Sequence, residues 1–363
     1  MPSKSSIFNF QFSINVIFAI LLIFSNYIVK ISPEKSIILC LNPFVLIVIC
    51  AINILLFIFY LIFKFKYCLI PLLALIMNYN SINLIFPISS YLNFSNQNGN
   101  VKVMTYNVMV FGLYNWKNNT EVKQNILKTI NEESPDILCL QEVYWNTNNK
   151  NFITLDSVLL ILNTKEIHKF SITSPIKGQN FGLATASKYP IVGEYSHKFD
   201  NSYNGFIYSD IIINTDTVRV YNCHLQSIQF DQNDYTLIEN QSDLKIDTLF
   251  RTIIKKYAKA QQKRASQAEM VRKSIDSCRY PVFVCGDFND LPLTYTYSTI
   301  AQNLKDSFVK KGKFGDNTWN RFKIPQRIDY ILFSDNFRAT SHKVIENYNS
   351  DHFPVVTEFL IMK

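Results

Sequence analysis

Charge is what the first hundred residues lack. Lys4, Lys30, Glu34, Lys35, Lys64 and Lys66 are the only charged side chains there, so just five of the chain's 36 basic and one of its 28 acidic residues fall in that stretch. Helices buried in a soluble domain would carry a polar face, and the apolar runs here have none. A small-x-small cleavage site is also missing from the end of the first run, and two more apolar runs follow, both of which argue against a cleaved signal peptide. No CxxC spacing occurs anywhere, which argues against a structural zinc site. No internal repeat is present. Seven cysteines are too scattered for a disulfide framework: Cys40, Cys50 and Cys68 sit in apolar runs, Cys139, Cys223 and Cys285 in expected strands, and only Cys278 near a loop.

What fills the first hundred residues is hydrocarbon. Phe8–Val29 and Ile37–Phe63 are uncharged apolar runs, each long enough to cross a hydrocarbon core of about 30 Å. A third run, Tyr67–Phe86, is diluted by Asn78, Asn80 and Asn83. Residues 1–94 are therefore expected to form a membrane region with about three transmembrane helices. Lys4, Lys64 and Lys66 would lie on one side and Lys30 and Lys35 on the other, which favours an inside N-terminus and an outside C-terminal domain. The pI of 8.9 invites a nucleic-acid reading, but the part after residue 100 carries only half of the net charge of +8. That is weak support for a phosphate-backbone binder.

A polar linker, residues 95–100, leads into a soluble domain over residues 101–363. Strand-like runs recur there: VKVMTYNV, DILCLQEV, FGLATAS, FIYSDIIIN, VRVYNCHL, PVFVCGDF, RIDYILFS and PVVTEFLI. A helix is expected over Thr120–Glu132, ending before Pro135. Ile246, Phe250, Ile253 and Tyr257 line one face of a second, which either continues or breaks before Ala265, Ala268, Val271 and Ile275. Its lysines and Arg264 read as a solvated face, with anionic lipid as the alternative contact. Sheets covered by helices follow.

The expected strands share an oddity, which is that apolar runs end in polar groups. Asn107 closes VKVMTYN, Glu142 follows ILCLQ, His224 follows VYNC, and Asp287 and Asn289 close VFVCG. Asp329 lies in QRIDYIL, and Asp351–His352 precede PVV. Singly, each is an ordinary turn or edge residue. Together they are a set of metal, acid–base and phosphate-binding groups delivered by a scaffold.

In order, TYN, LQE, NCHLQS, GDFND, RIDYI and SDHFP resemble the motif series of the endonuclease/exonuclease/phosphatase superfamily. That is the fold of deoxyribonuclease I, the abasic-site endonucleases, the inositol polyphosphate 5-phosphatases and the neutral sphingomyelinases. The resemblance spans Val101–Leu360. It implies an α/β (α+β) four-layer sandwich, two mainly antiparallel sheets packed face to face and flanked by helices. Membrane-anchored bacterial members are also similar to this chain, with apolar spans ahead of the catalytic domain, which implies an inner-membrane protein; the lysine distribution puts its catalytic domain on the extracytoplasmic side.

Phosphoester cleavage needs charge on the phosphoryl group neutralised and a water aligned. A hard cation prefers oxygen ligands and keeps several waters. Glu142 is the first choice of ligand, with the Asn107 carboxamide nearby, and the resemblance implies the same Mg²⁺ (with Mn²⁺ as a substitute). Asp351 looks like a further metal-side carboxylate. Asp287 would accept a proton from, or orient, the attacking water, and alternation would put Asn289 on the same face, with Phe288 pointing away. His352 would contact the scissile phosphate, charged and oriented by Asp329, and the resemblance implies that pair too. His224 would be a second phosphate-contacting imidazole. Division of the base role between Asp287 and His352 stays open. Asp290 reads as a turn residue, and His168, His197 and His342 as core or surface histidines.

The expected function is that of a membrane-anchored, Mg²⁺-dependent phosphoesterase. NCHLQS looks closer to the sphingomyelinase-type members than to the abasic-site endonucleases, whose extra DNA-contact motifs are missing. A lipid headgroup substrate is therefore favoured. The alternatives are an extracytoplasmic nuclease and, in another class, a non-catalytic membrane-tethered binding module. The bilayer and the phosphate ester are the expected partners, with no protein partner.

Overall fold

The computed structural model describes residues 4–92, 99–113, 119–148, 154–229, 246–321 and 326–362. Most of the 95–100 linker lies outside them. The chain divides into two compact units: Met1–Phe86 with Gln229–Ala265 and Leu291–Thr299, and Pro87–Ile228 with Ser266–Asp290 and Ile300–Lys363.

In the first unit, helices Lys4–Ile28 and Asn42–Phe63 cover the first two apolar runs. Among the described residues two helices are long and apolar enough to cross a membrane, over Phe10–Ile28 and Leu39–Phe63. Several of their few polar side chains reach backbone carbonyls of a neighbouring segment. Asn53 Nδ2 donates to Phe18 O at 3.0 Å, Asn15 Nδ2 to Tyr67 O at 3.1 Å, and Tyr60 OH to Gln11 O at 2.9 Å. The third run differs from the single helix expected. It forms Leu69–Met77 and then Tyr79–Asn83. Asn78 causes the break, because its Nδ2 donates to Ala74 O at 2.8 Å and competes with the backbone for the carbonyls of the last turn. Ser81 Oγ donates to Asn26 Oδ1, so the broken segment still returns the chain to the far end of the first helix.

The second unit contains two six-stranded sheets. One has the order β11-β12-β1-β2-β4-β3 and the other β5-β6-β7-β8-β10-β9. The strands are β1 Val101–Asn107, β2 Ile137–Asn146, β3 Glu166–Thr173, β4 Gln179–Ser187, β5 Ile191–Lys198, β6 Gly205–Ile213, β7 Asp216–His224, β8 Val282–Asp287, β9 Lys305–Asp306, β10 Asp329–Phe333, β11 Phe337–Val344 and β12 Val355–Ile361. Each sheet has one parallel pair at its centre, β1 with β2 and β7 with β8, and antiparallel neighbours outside it. Parallel pairs need a crossover, and the helices Asn119–Glu133 and Ile246–Asp276 supply the two. The second of these is unbroken. Lys255 and Lys259 on it are exposed, whereas Arg264 is wholly buried, contrary to its reading as part of a solvated face.

Alternation along the central strands explains the core. Val101, Val103, Ile137, Cys139, Val218, Val220, Phe283, Cys285, Ile331 and Phe333 form one buried cluster between the sheets. Met104, Tyr106 and Leu138 face the other way, onto Ile126 and Ile130 of the crossover helix and Val158 of the helix Leu155–Leu162. Each such side chain contributes about 1.5–3 kcal/mol by leaving water. All seven cysteines are free.

Candidate active site

The inward-facing row of each central strand changes character along its length. On β1 it runs Val101, Val103, Thr105, Asn107, and on β7 Val218, Val220, Asn222, His224. On β8 it runs Phe283, Cys285, Asp287. The apolar start anchors the strand in the sandwich, and the polar finish emerges at one end. Both pairs being parallel, Asn107 and Glu142 end up adjacent in one sheet, and His224 opposes Asp287 in the other. Asp329 begins β10 opposite Asp287, and His352 lies just before β12, which pairs with β1. Strand polarity alone thus gathers residues separated by up to 245 positions in sequence.

Asp287 Oδ2 is the hub. Asn107 Nδ2 donates to it at 3.1 Å and Asn289 Nδ2 at 3.0 Å, while His224 Nε2 and His352 Nε2 each lie 3.7 Å away. Asn289 reaches it by a route other than extended alternation. The strand stops at Asp287, Asn289 adopts φ +52°, and its backbone N–H donates to Asp287 Oδ1 at 2.8 Å. An Asx turn, which Asn tolerates in the left-handed region, does the folding back. Phe288 is buried against the Tyr330 ring.

Glu142 sits at a β-bulge, where two residues of β2 oppose one of β4 between the pairs Leu140–Ala184 and Val143–Gly182. It has φ +49° and keeps 39% of its side-chain surface open. Asn107 Nδ2 donates to its Oε1 at 3.2 Å, and His224 Nε2 lies 3.6 Å from that oxygen. Asn107 Oδ1 already accepts the Met109 N–H at 3.1 Å. In this arrangement its N–H groups, and not its oxygen, point at the carboxylates. Facing two carboxylates, its amide presents N–H groups and holds them in place. Asp351 is paired with Arg321 Nε at 3.4 Å rather than with Glu142, though its charge still acts there.

Burial and neighbouring charges move the titrating groups from their ordinary values. Burial raises Asp287 to about 6. Lost hydration, then the Asp351 charge, raises Glu142. Burial lowers His224. Burial would lower His352 too, but the charges of Asp329, Asp287 and Asp351 overcome it and raise it well above the ordinary imidazole value. His352 Nδ1 lies 3.0 Å from Asp329 Oδ2, the Asp329 N–H donates to Thr318 Oγ1 at 3.0 Å, and the His352 N–H donates to Ser350 Oγ at 3.2 Å. Ser350 Oγ in turn donates to Asn107 O at 2.8 Å. Thr318 and Ser350 escaped sequence reading, although Ser350 stands inside SDHFP.

Two places could accommodate a cation. Asp287, Asp329 and His352 present ligand atoms within 4.8 Å of one another. That trio is fully buried, and both ring nitrogens of His352 are already directed at carboxylates. Glu142 has an open side and a carboxylate partner in charge, Asp351, which suits a hydrated hard cation better. Among the described residues, His224 Nε2 and Asp329 Oδ1 are buried without a hydrogen-bond partner. His168 and His342 are core histidines: His168 links Ser209 and Ser196, and His342 contacts Ser307 and Thr357.

A profile of the Endonuclease/Exonuclease/phosphatase family matches residues 104–352. The chain belongs to that family. Its members are hydrolases of phosphoric ester bonds, most of them using divalent metal ions, and this chain is such a hydrolase. Residues 5–85 match a separate profile described only as a domain of unknown function. Solved structures agree on the fold. An endonuclease/exonuclease/phosphatase family protein from Leptotrichia buccalis is 20% identical, with a TM-score of 0.50 over 71% of this chain and 99% of that one. The human Nocturnin catalytic domain is 20% identical at 0.51, over 74% and 97%. A Bacteroides vulgatus member is 15% identical at 0.52, over 72% and 98%. Among proteins of curated function, none matches.

Proposed function

We propose that this family member is a membrane-anchored, Mg²⁺-dependent phosphoesterase acting on a phosphodiester of the lipid-headgroup type. Carrying the reading is the convergence on Asp287 Oδ2 of two amides and two imidazoles beside an open Glu142. Glu142 would hold the cation with Asp351 close by, Asn107 bracing Glu142 from the side. Bound there, the ion would supply positive charge against the phosphoryl oxygens. Asp287, raised to about 6, is ionised at neutral pH and accepts the proton of the attacking water. His352 is cationic at the same pH, so it donates to the phosphate instead of serving as base. Asp329 fixes its ring and its charge. His224 Nε2 donates to a second phosphoryl oxygen in the tautomer that carries its proton there. Asn289 keeps Asp287 in its rotamer.

The two long apolar helices support anchoring in a bilayer. Lys64 Nζ donates to Gln11 Oε1 near the start of the first helix, far along that helix from the Asn26–Ser81 contact, and basic residues at that end support a catalytic domain outside the cytoplasm. Domain limits of 1–94 and 101–363 belong to the same proposal. A reporter fused after Lys363 tests the orientation, and cytoplasmic signal would overturn it. Substrate class is tested with the full chain in Mg²⁺, by phosphocholine release from vesicles against nicking of plasmid DNA. Activity on DNA alone would replace the lipid reading with a nuclease, and no turnover of any phosphoester would leave a binding module.

A further inference from the structure

We propose that Asn222 is a positioning residue for Glu142, acting from the opposite sheet through the β2 bulge. A bulge interrupts the ladder, and the carbonyls it frees need donors if they are buried. Between Leu140 and Val143 the β2–β4 ladder skips, and two carbonyls flank the gap, Leu140 O on one strand and Ala184 O on the other. Asn222, on β7 of the other sheet, sends its amide across the core into this gap. Its Nδ2 donates to Leu140 O at 3.1 Å and to Ala184 O at 2.9 Å, with Thr185 Oγ1 at 3.4 Å. Gln141, the residue inside the bulge, fixes the amide's orientation by donating from Nε2 to Asn222 Oδ1 at 2.7 Å. The same Nε2 donates to Thr105 Oγ1 at 3.0 Å. Asn222, Gln141, Thr105 and Thr185 are fully buried.

Glu142 is the next residue, and its φ of +49° is a conformation that a non-glycine holds only when its surroundings enforce it. An apolar residue at 222 would take the Nδ2 donor away from both carbonyls in the core, and the bulge would lose a hydrogen-bonded brace against regular pairing. A one-residue slip turns a side chain to the other face of the sheet, so Glu142 would leave the site. Asn222 is fully buried, and its partners are Leu140 O, Ala184 O, Thr185 Oγ1 and the Gln141 amide. Its place two residues before His224, in the motif NCH, lets one strand carry both a ligand-facing imidazole and the brace of a carboxylate in the facing sheet.

The inference rests on Glu142 being the metal ligand, and its test separates the two. Mn²⁺ binding to the full chain in detergent is measured from the electron paramagnetic resonance of the free ion, for the wild type, Glu142→Gln, Asn222→Ala and Gln141→Met. Thermal midpoints and substrate KM are recorded alongside. Asn222→Ala is expected to bind Mn²⁺ about 10- to 100-fold more weakly with KM little changed, the range typical of residues that orient a ligand. Wild-type affinity in a folded Asn222→Ala protein, with binding lost in Glu142→Gln, overturns the positioning role. Wild-type affinity in Glu142→Gln overturns the metal assignment, and the inference with it. If Asn222→Ala does not fold, Gln141→Met, which unpins the amide, is read by the same two outcomes.

Discussion

His352 Nδ1 lies 3.0 Å from Asp329 Oδ2, and the opposite nitrogen of the ring faces Asp287 Oδ2 at 3.7 Å. A buried imidazole between two carboxylates is held in its cationic form, and its pKa is raised well above the ordinary value despite burial. Its useful charge is therefore present at neutral pH and lost as pH rises through the raised value. Asp329→Asn keeps the shape and removes the charge. It should lower kcat/KM by about 10- to 100-fold and move the alkaline limb of the pH profile to lower pH. A limb that stays in place would detach His352 from that limb.

The acid limb is expected to follow Asp287. Burial, followed by the Asp329 charge, raises its carboxyl to about 6 against the pull of His352. Only the ionised form accepts a proton, so activity should hold above about pH 6 and fall roughly tenfold per unit below it. A profile of kcat/KM that is flat to pH 4.5 would exclude Asp287 as the base.

Gly286 permits the close approach of two parallel strands. Its φ is +133°, and a Cβ there would lie 2.0 Å from Cys223 O on β7. Gly286→Ala should cost about 2–4 kcal/mol, from strain and from pushing β7 off β8. Gly315, at φ +94° with nothing within 4 Å, is the control, expected to cost about 1 kcal/mol. Equal thermal midpoints for the two variants would contradict the close-packing account.

His342 sets part of the acid stability. Its Nδ1 lies 3.0 Å from Ser307 Oγ and 3.1 Å from Thr357 Oγ1, and its Nε2 is 4.0 Å from Asp316. Burial, with Arg327 nearby, lowers it to about 4, against the pull of Asp306. The folded value lies below the unfolded one, so the unfolded chain binds the extra proton first. Stability through this group is full at neutral pH and falls as pH drops from about 6.5 to 4, by up to roughly 3 kcal/mol. His342→Gln should narrow the gap between thermal midpoints at pH 7.5 and pH 5. An unchanged gap would assign that sensitivity elsewhere.

Legibility in the sequence followed burial. The central strands β1, β2, β7, β8, β10 and β12 were readable, because both faces are covered and the runs are apolar until the polar finish. Glu166–Thr173, Ile191–Lys198 and Phe337–Val344 were not, because at or near the sheet edges their polar and apolar residues mix. The site's residue types were readable as a set. Two details were not: Asn289 reaches Asp287 through a left-handed turn, and Asn107 turns its N–H groups inward. Both depend on hydrogen-bond partners from distant strands, which spacing along the chain does not encode.

The central claim is that Glu142 and Asp287 cooperate in metal-assisted hydrolysis. Turnover of a generic phosphodiester, bis(p-nitrophenyl) phosphate, by the full chain tests it most directly, with Mg²⁺, with chelator, and in the Glu142→Ala variant. The account predicts Mg²⁺-dependent turnover that chelation abolishes, and a loss of about 100-fold or more in Glu142→Ala. Wild-type turnover in Glu142→Ala, or turnover indifferent to the chelator, would contradict it.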